Sequence, residues 1–303
     1  MTATLVPFEE AVDDITVAGM RGGSGPPALL LHGTGGSWRN FRPWLDTLVP
    51  RCDAVIPDLP GFGRSPAPAL APSLAAWADL LHALAARLGV SPRLVVGLGL
   101  GASLALSYLE RHRADLPELA ALVLHTPPYY PGAFRPATRI ALKIVTGPGV
   151  LDLIGAVFGE RRAIDWYVGH FIEGPEISAQ EAADLREDFR RASLPVLRGL
   201  LRDALRADFR PMLAQLPIPT LALISQRDPF VDASEVERLG ILMPRATVVV
   251  QPDIAHGWTP EAIAEQNRQI GHFLDGALGT DPQRQSPSVA DDTSPSMRPL
   301  GSA

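Results

Sequence analysis

The chain has 303 residues, of which 46% are hydrophobic and 20% charged, with a formal net charge of −6 at pH 7. This composition excludes a disordered or fibrous protein and fits one large α/β domain with an insertion, or two domains. No stretch concentrates basic residues, so nucleic acid and anionic membranes are poor candidate partners. Residues 1–10 lack a signal-peptide pattern and no run reaches the ~18 apolar residues of a membrane span, which favours a cytoplasmic protein.

Apolar runs alternate with helical patterns along the first 126 residues. Strands are predicted at residues 15–21, 28–31, 54–56, 94–96 and 119–124, and helices at about 41–48, 74–88 and 102–112. The fully apolar strands indicate burial on both faces, and their alternation with helices predicts a doubly wound, mostly parallel sheet.

The rhythm changes after Thr126, because helical patterns then continue without a strand until about residue 217. We therefore predict a core formed by residues 1–126 and 217–279, interrupted by a helical cap at 127–216. The second part of the core contains predicted strands at 220–224 and 247–250 and a closing helix at 262–278. Residues 280–303, rich in Pro, Ser, Asp and Gln, are predicted to form a disordered tail.

The stretch Gly97-Leu98-Gly99-Leu100-Gly101 joins the strand at 94–96 directly to the helix at 102–112. It resembles the G-x-S-x-G nucleophile elbow of the α/β-hydrolase family, in which a strained turn presents a serine at the top of the sheet. Here Gly99 stands where the serine would stand. The resemblance covers about residues 15–278 and implies an α/β-hydrolase fold with a helical cap insertion.

Two further regions carry the same resemblance. After the strand at 28–31 comes His32-Gly33-Thr34-Gly35-Gly36, where the family's pattern implies that the Thr34 N–H, together with the Leu100 N–H, forms an oxyanion hole. The loops after the last two strands carry Asp228 and His256, which match the acid and histidine of the family's triad in chain order. The resemblance thus implies a His256/Asp228 acid–base pair beside a degenerate nucleophile position.

Each of these motifs also has a structural interpretation. The glycines at 97–101 alone would suit a nucleotide loop, but G-x-G-x-G after a later strand is not the G-x-G-x-x-G fingerprint after a first strand. The candidate pocket residues are His32, Gly33, Trp38, His125 and Trp258. For His125, a structural role at the strand end is the simpler expectation.

Loss of the serine hydroxyl removes covalent acyl-enzyme chemistry and leaves three hypotheses. The first is non-covalent chemistry by His256 and Asp228, such as elimination, epimerisation, cyclisation, C–C cleavage or direct attack by water. The second is a catalytically silent protein that binds a ligand or a protein, and the third is a serine-type ester hydrolase in an inactive form. The apolar cap favours a small to medium apolar metabolite, such as an intermediate of secondary metabolism. The sequence has no metal-ligand or cofactor motif, so neither a metal nor a cofactor is expected.

Overall fold

The computed structural model describes residues 4–150, 162, 165–166, 169, 179–252 and 259–279. Its centre is a sheet of eight strands: β1 Val6–Val12, β2 Ile15–Gly23, β3 Pro27–Leu31, β4 Asp53–Pro57, β5 Leu94–Leu98, β6 Ala121–His125, β7 Thr220–Ser225 and β8 Ala246–Gln251. Their spatial order is β1-β2-β4-β3-β5-β6-β7-β8. Strand β2 is antiparallel to β1 and β4, and the other neighbours are parallel. The predicted doubly wound, mostly parallel sheet is confirmed.

Strand order reverses between β3 and β5, which lie side by side with Leu31 opposite Gly97. After β3 the chain turns towards β4, whereas after β5 it continues towards β6 on the other side. The loops at the carboxyl ends of two such strands diverge and leave a crevice between them. The residues that follow β3 and β5 therefore flank a natural binding position.

The helices cover both faces of the sheet. They are α1 Leu45–Leu48, α2 Leu74–Arg87, α3 Leu100–His112, α4 Pro136–Val145, α5 Ala179–Arg191, α6 Leu194–Ala204, α7 Arg210–Leu213, α8 Ala233–Glu237, α9 Leu239–Leu242 and α10 Pro260–Leu278. Short 3-10 helices occupy Trp38–Trp44, Arg113–Asp115 and Pro131–Ala133. Among the described helices, none combines the length and the apolar character needed to cross a membrane.

Alternate residues of the central strands enter two separate cores. Leu29 and Val95 pack with residues of α2 and α3, whereas Leu30 and Val96 pack with residues of α1 and α10 on the opposite face. Because both faces of these strands are buried, polar residues cannot alternate along them. This is why the parallel strands could be predicted from apolar runs alone.

Strand β1 was not predicted. It forms a hairpin with β2 through seven residue pairs, but it lies at the edge of the sheet and six of its seven residues are at least partly exposed. Two adjacent glutamates interrupt the apolar residues of its sequence, VPFEEAV. An edge strand with one covered face gives a weaker signal than a buried strand.

The chain between β6 and β7 contains α4, α5, α6 and α7, and its described residues form no strand beyond an isolated antiparallel bridge between Phe134 and Val231. Helix α5 was not predicted, because its sequence AQEAADLREDFRR is mostly polar. Residues 151–161 and most of 163–178, which belong to the predicted helical cap, lie outside the described residues, as does the predicted tail at 280–303.

Candidate active site

The turn between β5 and α3 has the geometry of a nucleophile elbow. Gly99 adopts φ 53° and ψ −110°, between the last residue of β5 and the first residue of α3. A Cβ placed on Gly97 would lie 2.5 Å from the Gly101 carbonyl oxygen, and one on Gly101 would lie 2.2 Å from the Leu31 carbonyl oxygen. The flanking glycines are therefore required for the close packing of α3 against β5 and β3.

Position 99 is different, because among the described residues no atom beyond the local chain on either side lies within 4 Å of a Cβ built there. Its only obstacle to a side chain is the positive φ angle, which costs a non-glycine residue about 1–3 kcal/mol. The elbow thus presents an open position where a side chain would point away from the core.

A cavity of about 700 Å³ lies in front of this position, at the carboxyl ends of the strands. Its walls are mostly apolar and come from the elbow, the loop after β3, the helices between β6 and β7, and the start of α10. The described residues that line it include Gly33, Thr34, Leu98, Gly99, Leu100, His125, Phe134, Leu142, Leu185, Asp188, Phe189, Leu201, Phe230, Val231 and Ile263. A largely apolar cavity with a few polar groups is typical of a small-molecule site.

Thr34 and Leu100 both border this cavity, from the loops that follow β3 and β5. Within the described part of the chain, neither backbone N–H has a hydrogen-bond acceptor. Leu100 is the first residue of α3, where the N–H groups of a helix lack internal partners and the helix dipole favours negative charge. The structure therefore brings two backbone donors to the side of the open position.

Asp228 lies in the loop after β7 and is fully buried. Its Oδ1 accepts hydrogen bonds of 2.8 Å from the N–H groups of Phe230 and Val231. The guanidinium of Arg135 donates to the Asp228 carbonyl oxygen at 2.5 Å. These contacts fix the position of the carboxylate next to Phe230 and Val231, which themselves line the cavity.

His256 and Trp258 lie outside the described residues. The segment that carries them is flanked by β8 on one side and by α10 on the other. Strand β8 pairs with β7, the strand that precedes Asp228, and Pro260 at the start of α10 lines the cavity. Placement of His256 beside Asp228 remains a prediction of the sequence.

The other candidate pocket residues divide into two groups. Gly33 and His125 border the cavity, whereas His32 and Trp38 are not part of its lining. The His32 ring is fully buried, with Nδ1 2.9 Å from the Gly33 carbonyl oxygen and Nε2 accepting from the Leu59 N–H at 2.9 Å. Burial lowers the pKa of His32, so the ring is a neutral brace between two loops. Trp38 instead lies beneath the Arg42 guanidinium, 5.1 Å from the ring centre.

His125 belongs to a polar network below the cavity. Its Nε2 is 3.4 Å from Gln266 Nε2, and its ring meets Trp44 edge-on. Gln266 accepts from Trp44 Nε1 at 3.0 Å and donates to the Gln251 side chain at 2.8 Å. The network joins the end of β6 to the end of β8 and to α10. It therefore connects β8 and α10, the two elements that flank the segment carrying His256.

Sequence reasoning missed Asp188 on α5, which is 1% exposed and lines the cavity. Its Oδ2 accepts a 2.7 Å hydrogen bond from the Ser37 hydroxyl. Burial is the largest influence on this carboxyl and raises its pKa to about 6, although Ser37 and Arg39 act in the opposite direction. The spacing of Ala182, Leu185 and Phe189 was the signal that could have revealed this helix and its buried face.

The raised pKa of Asp188 predicts a specific pH dependence of stability. Because the folded pKa exceeds the unfolded one, the folded state binds more protons, and stability falls as pH rises from about 4 to 6. A rise from 3.8 to about 6 corresponds to about 3 kcal/mol. Asp188→Asn should therefore gain about 3 kcal/mol relative to the wild-type chain between pH 4 and 7, measured by urea unfolding.

Asp184→Asn is the matched control for this measurement. Burial tends to raise the pKa of Asp184, but hydrogen bonds from Arg42 and Gln180 and the charges of Arg39 and Arg42 outweigh it and lower the pKa. The control should therefore lose stability relative to the wild-type chain as pH rises through the titration of Asp184. A pH-independent difference between Asp188→Asn and the wild-type chain would contradict the assignment.

One group of described residues has ligand types suited to a metal, and it lies away from the cavity. His82, His112 and Asp115 bring one potential ligand atom each to within 4.8 Å of the others. The two imidazole rings are stacked in parallel, 4.1 Å apart with an interplanar angle of 3°. Their lone pairs, which lie in the ring planes, do not converge on one point, so this arrangement does not form a metal centre.

The sheet order, the elbow and the cavity at the strand ends define the class of protein as an α/β hydrolase. A sequence model described as the alpha/beta hydrolase family matches residues 28–266. The chain belongs to this family, and the predicted α/β-hydrolase fold is confirmed.

Relatives of the chain are named as enzymes. It is 25% identical over 255 residues to Lipase 3 of Moraxella sp. (strain TA144), which covers 84% of this chain and 78% of that protein. A shorter match, 40% identical over 83 residues, joins 27% of the chain to 29% of the magnesium-chelatase 30 kDa subunit of Rhodobacter capsulatus.

Solved structures share the same fold. A mutant of the N-acyl homoserine lactonase AidH, complexed with N-hexanoyl homoserine, aligns with a TM-score of 0.72 at 20% identity over 90% of this chain and 98% of that one. A thermophilic esterase from Thermogutta terrifontis aligns with a TM-score of 0.69 at 23% identity over 91% and 99% of the two chains.

Proposed function

We propose that this protein is a hydrolase-fold enzyme that works without a covalent nucleophile on a small to medium apolar metabolite. The observation that carries the proposal is the open position at Gly99, which lies on a cavity bordered by Thr34 and Leu100. His256, oriented by Asp228, acts as the general base and then as the general acid. The Thr34 and Leu100 N–H groups stabilise the negative charge that develops on a substrate oxygen.

Hydrolysis by direct attack of water is the reaction that we favour. In this route His256 takes a proton from a water molecule in the space in front of Gly99, and the water oxygen bonds to the substrate carbonyl carbon. The carbonyl oxygen becomes the oxyanion held by the two N–H groups. The tetrahedral adduct then expels the alcohol, which leaves with the proton from His256. No acyl-enzyme forms in this route.

Two observations support hydrolysis over the other non-covalent reactions. The relatives carry names such as lipase, esterase and lactonase, which all denote cleavage of carbonyl esters. In the family, the serine hydroxyl attacks the substrate from the space that is open in front of Gly99. A water molecule in this space would therefore approach the carbonyl carbon from the same direction. The same groups could also serve elimination, epimerisation, cyclisation and C–C cleavage. In these reactions His256 would remove a proton from a carbon or oxygen atom of the substrate, and the two N–H groups would stabilise the resulting negative charge.

Solvent labelling tests the proposal. The full chain is incubated with a panel of apolar esters and lactones in H₂¹⁸O, and in a second series in D₂O, with products analysed by mass spectrometry. Hydrolysis places ¹⁸O in the acid product. Epimerisation and C–C cleavage reprotonate carbon and place deuterium in the product, whereas elimination and cyclisation are recognised by the mass of the product. The wild-type chain should also show no covalent adduct with a fluorophosphonate probe. Absence of any product from the whole panel would favour a protein that only binds its ligand.

A further inference from the structure

We propose that Asp188 is a ligand-binding carboxylate, which accepts a hydrogen bond from an N–H or O–H group on an otherwise apolar ligand. Its best partner is an alkylammonium group. The proposal deepens the proposed function and rests on it only in placing the ligand in the same cavity. Under this proposal, the site prefers amphipathic molecules, which carry one donor group on an apolar body.

The first argument is an unused acceptor. Asp188 Oδ1 is buried and has no hydrogen-bond partner among the described residues. Its nearest cationic neighbour is Arg39 Nη1 at 3.4 Å, and that nitrogen likewise makes no hydrogen bond in the described part of the chain. A buried carboxylate oxygen without a donor is costly, and a ligand donor would remove that cost.

The second argument is the balance of charge at this side of the cavity. One guanidinium, that of Arg39, is shared by Asp184 at 3.3 Å, Glu187 at 3.5 Å and Asp188 at 3.4 Å. Arg42 is engaged by Asp184. Glu187 is also paired with Arg191 at 2.5 Å. Asp184 and Glu187 thus each have a second cation, whereas Asp188 shares Arg39 and has no cation of its own among the described residues. The Asp188 carboxylate is therefore the least compensated of the three, which favours a cationic or donor group beside it over an anion.

The third argument is the contrast with the rest of the cavity. Charged side chains line the cavity beside Asp188, namely Arg39, Arg42, Glu181 and Asp184. The other walls are largely apolar, with side chains such as Leu98, Leu142, Leu201, Phe230 and Ile263. A ligand that fills this space is apolar along most of its length. Asp188 is then a localised polar contact, of the kind that fixes the orientation of a ligand in an apolar site.

The fourth argument is the position of Asp188 beside the loop that carries Thr34. Ser37, which donates to Asp188 Oδ2, lies three residues after Thr34. The Phe189 ring packs against Gly35, where an added Cβ would come within 2.4 Å of it. Helix α5 and this loop therefore form one wall, and a donor bound at Asp188 places the remainder of the ligand along it.

Binding of three matched probes tests the assignment without any need for turnover. The probes are 4-phenylbutylamine, 4-phenylbutan-1-ol and 4-phenylbutyl methyl ether, which share one apolar body and differ in their donor group. Isothermal titration calorimetry at pH 7.5 should show the amine bound at least about tenfold more tightly than the ether, with the alcohol between them. Asp188→Asn should remove the preference for the amine and leave the affinity for the ether unchanged.

Glu187→Gln is the matched control, since it removes the same charge from the same Arg39 cluster but does not line the cavity. This variant should retain the preference for the amine. Equal affinities of the wild-type chain for amine and ether, no measurable binding of the amine, or an unchanged preference in Asp188→Asn would overturn the proposal. If the solvent-labelling experiment shows no turnover, that result contradicts the proposed function, but it does not change the affinities predicted here.

Discussion

Gly99→Ser is expected to give this chain a covalent esterase activity. Position 99 has the backbone angles of an elbow and open space in front of it, so the added hydroxyl would enter the cavity between the Thr34 and Leu100 N–H groups. If His256 and Asp228 are assembled beside it, the triad is complete. The kcat/KM for p-nitrophenyl butyrate should rise by at least about 10²-fold over the wild-type chain, with a burst of p-nitrophenol and labelling by a fluorophosphonate probe.

Gly99→Ala is the control for this gain, because it carries the same backbone cost without a hydroxyl. Both variants should lose about 1–3 kcal/mol of stability at the positive φ angle, which urea unfolding measures. Addition of His256→Ala to Gly99→Ser should return the activity to the wild-type level. A folded Gly99→Ser chain with neither esterase activity nor probe labelling would show that the rest of the triad is not assembled.

His256→Ala is expected to lower turnover of any substrate found in the solvent-labelling panel by about 10²–10⁴-fold, because it removes the general base and acid. Affinity for apolar ligands should change little, since the substitution leaves the apolar side chains that line the described part of the cavity in place. Steady-state kinetics should therefore show the loss in kcat, with KM nearly constant.

His272→Ala is a suitable control, because His272 is exposed on α10 and outside the cavity lining. It should leave turnover at the wild-type level. Unchanged turnover in His256→Ala would contradict the proposed acid–base role and would direct attention to titratable groups among the described cavity residues, such as His125, Asp184 and Asp188.

Most of the central sheet was predictable because strands that are buried on both faces have uninterrupted apolar sequences. Strands such as β3 and β5 are apolar at every position, and the glycine-rich segments that follow them mark where the chain must turn tightly. Strand β1, at the edge of the sheet, has no sequence of this kind. Helix α5 was missed because only one narrow face of it is buried, and that face includes the polar Asp188.

The positions of two histidines, His32 and His125, show why the candidate site was harder to predict than the fold. His32 and His125 both follow apolar strands and are equivalent in sequence terms, yet only His125 borders the cavity. His32 turns to the Leu59 N–H and the Gly33 carbonyl oxygen instead. Such a choice depends on which loop lies nearby in space, and local periodicity contains no information about that neighbour.

The sequence by itself determined the alternation of strands and helices, the elbow at Gly97 to Gly101 and the absence of a hydroxyl at Gly99. These properties are local, since each follows from the burial pattern or the steric needs of a few consecutive residues. Only the tertiary structure decided that Gly101 contacts the Leu31 carbonyl and that Asp188 reaches Ser37, 151 residues away in the chain. Contacts of this kind arise when complete helices and strands pack together, and they set the charge and polarity of the cavity.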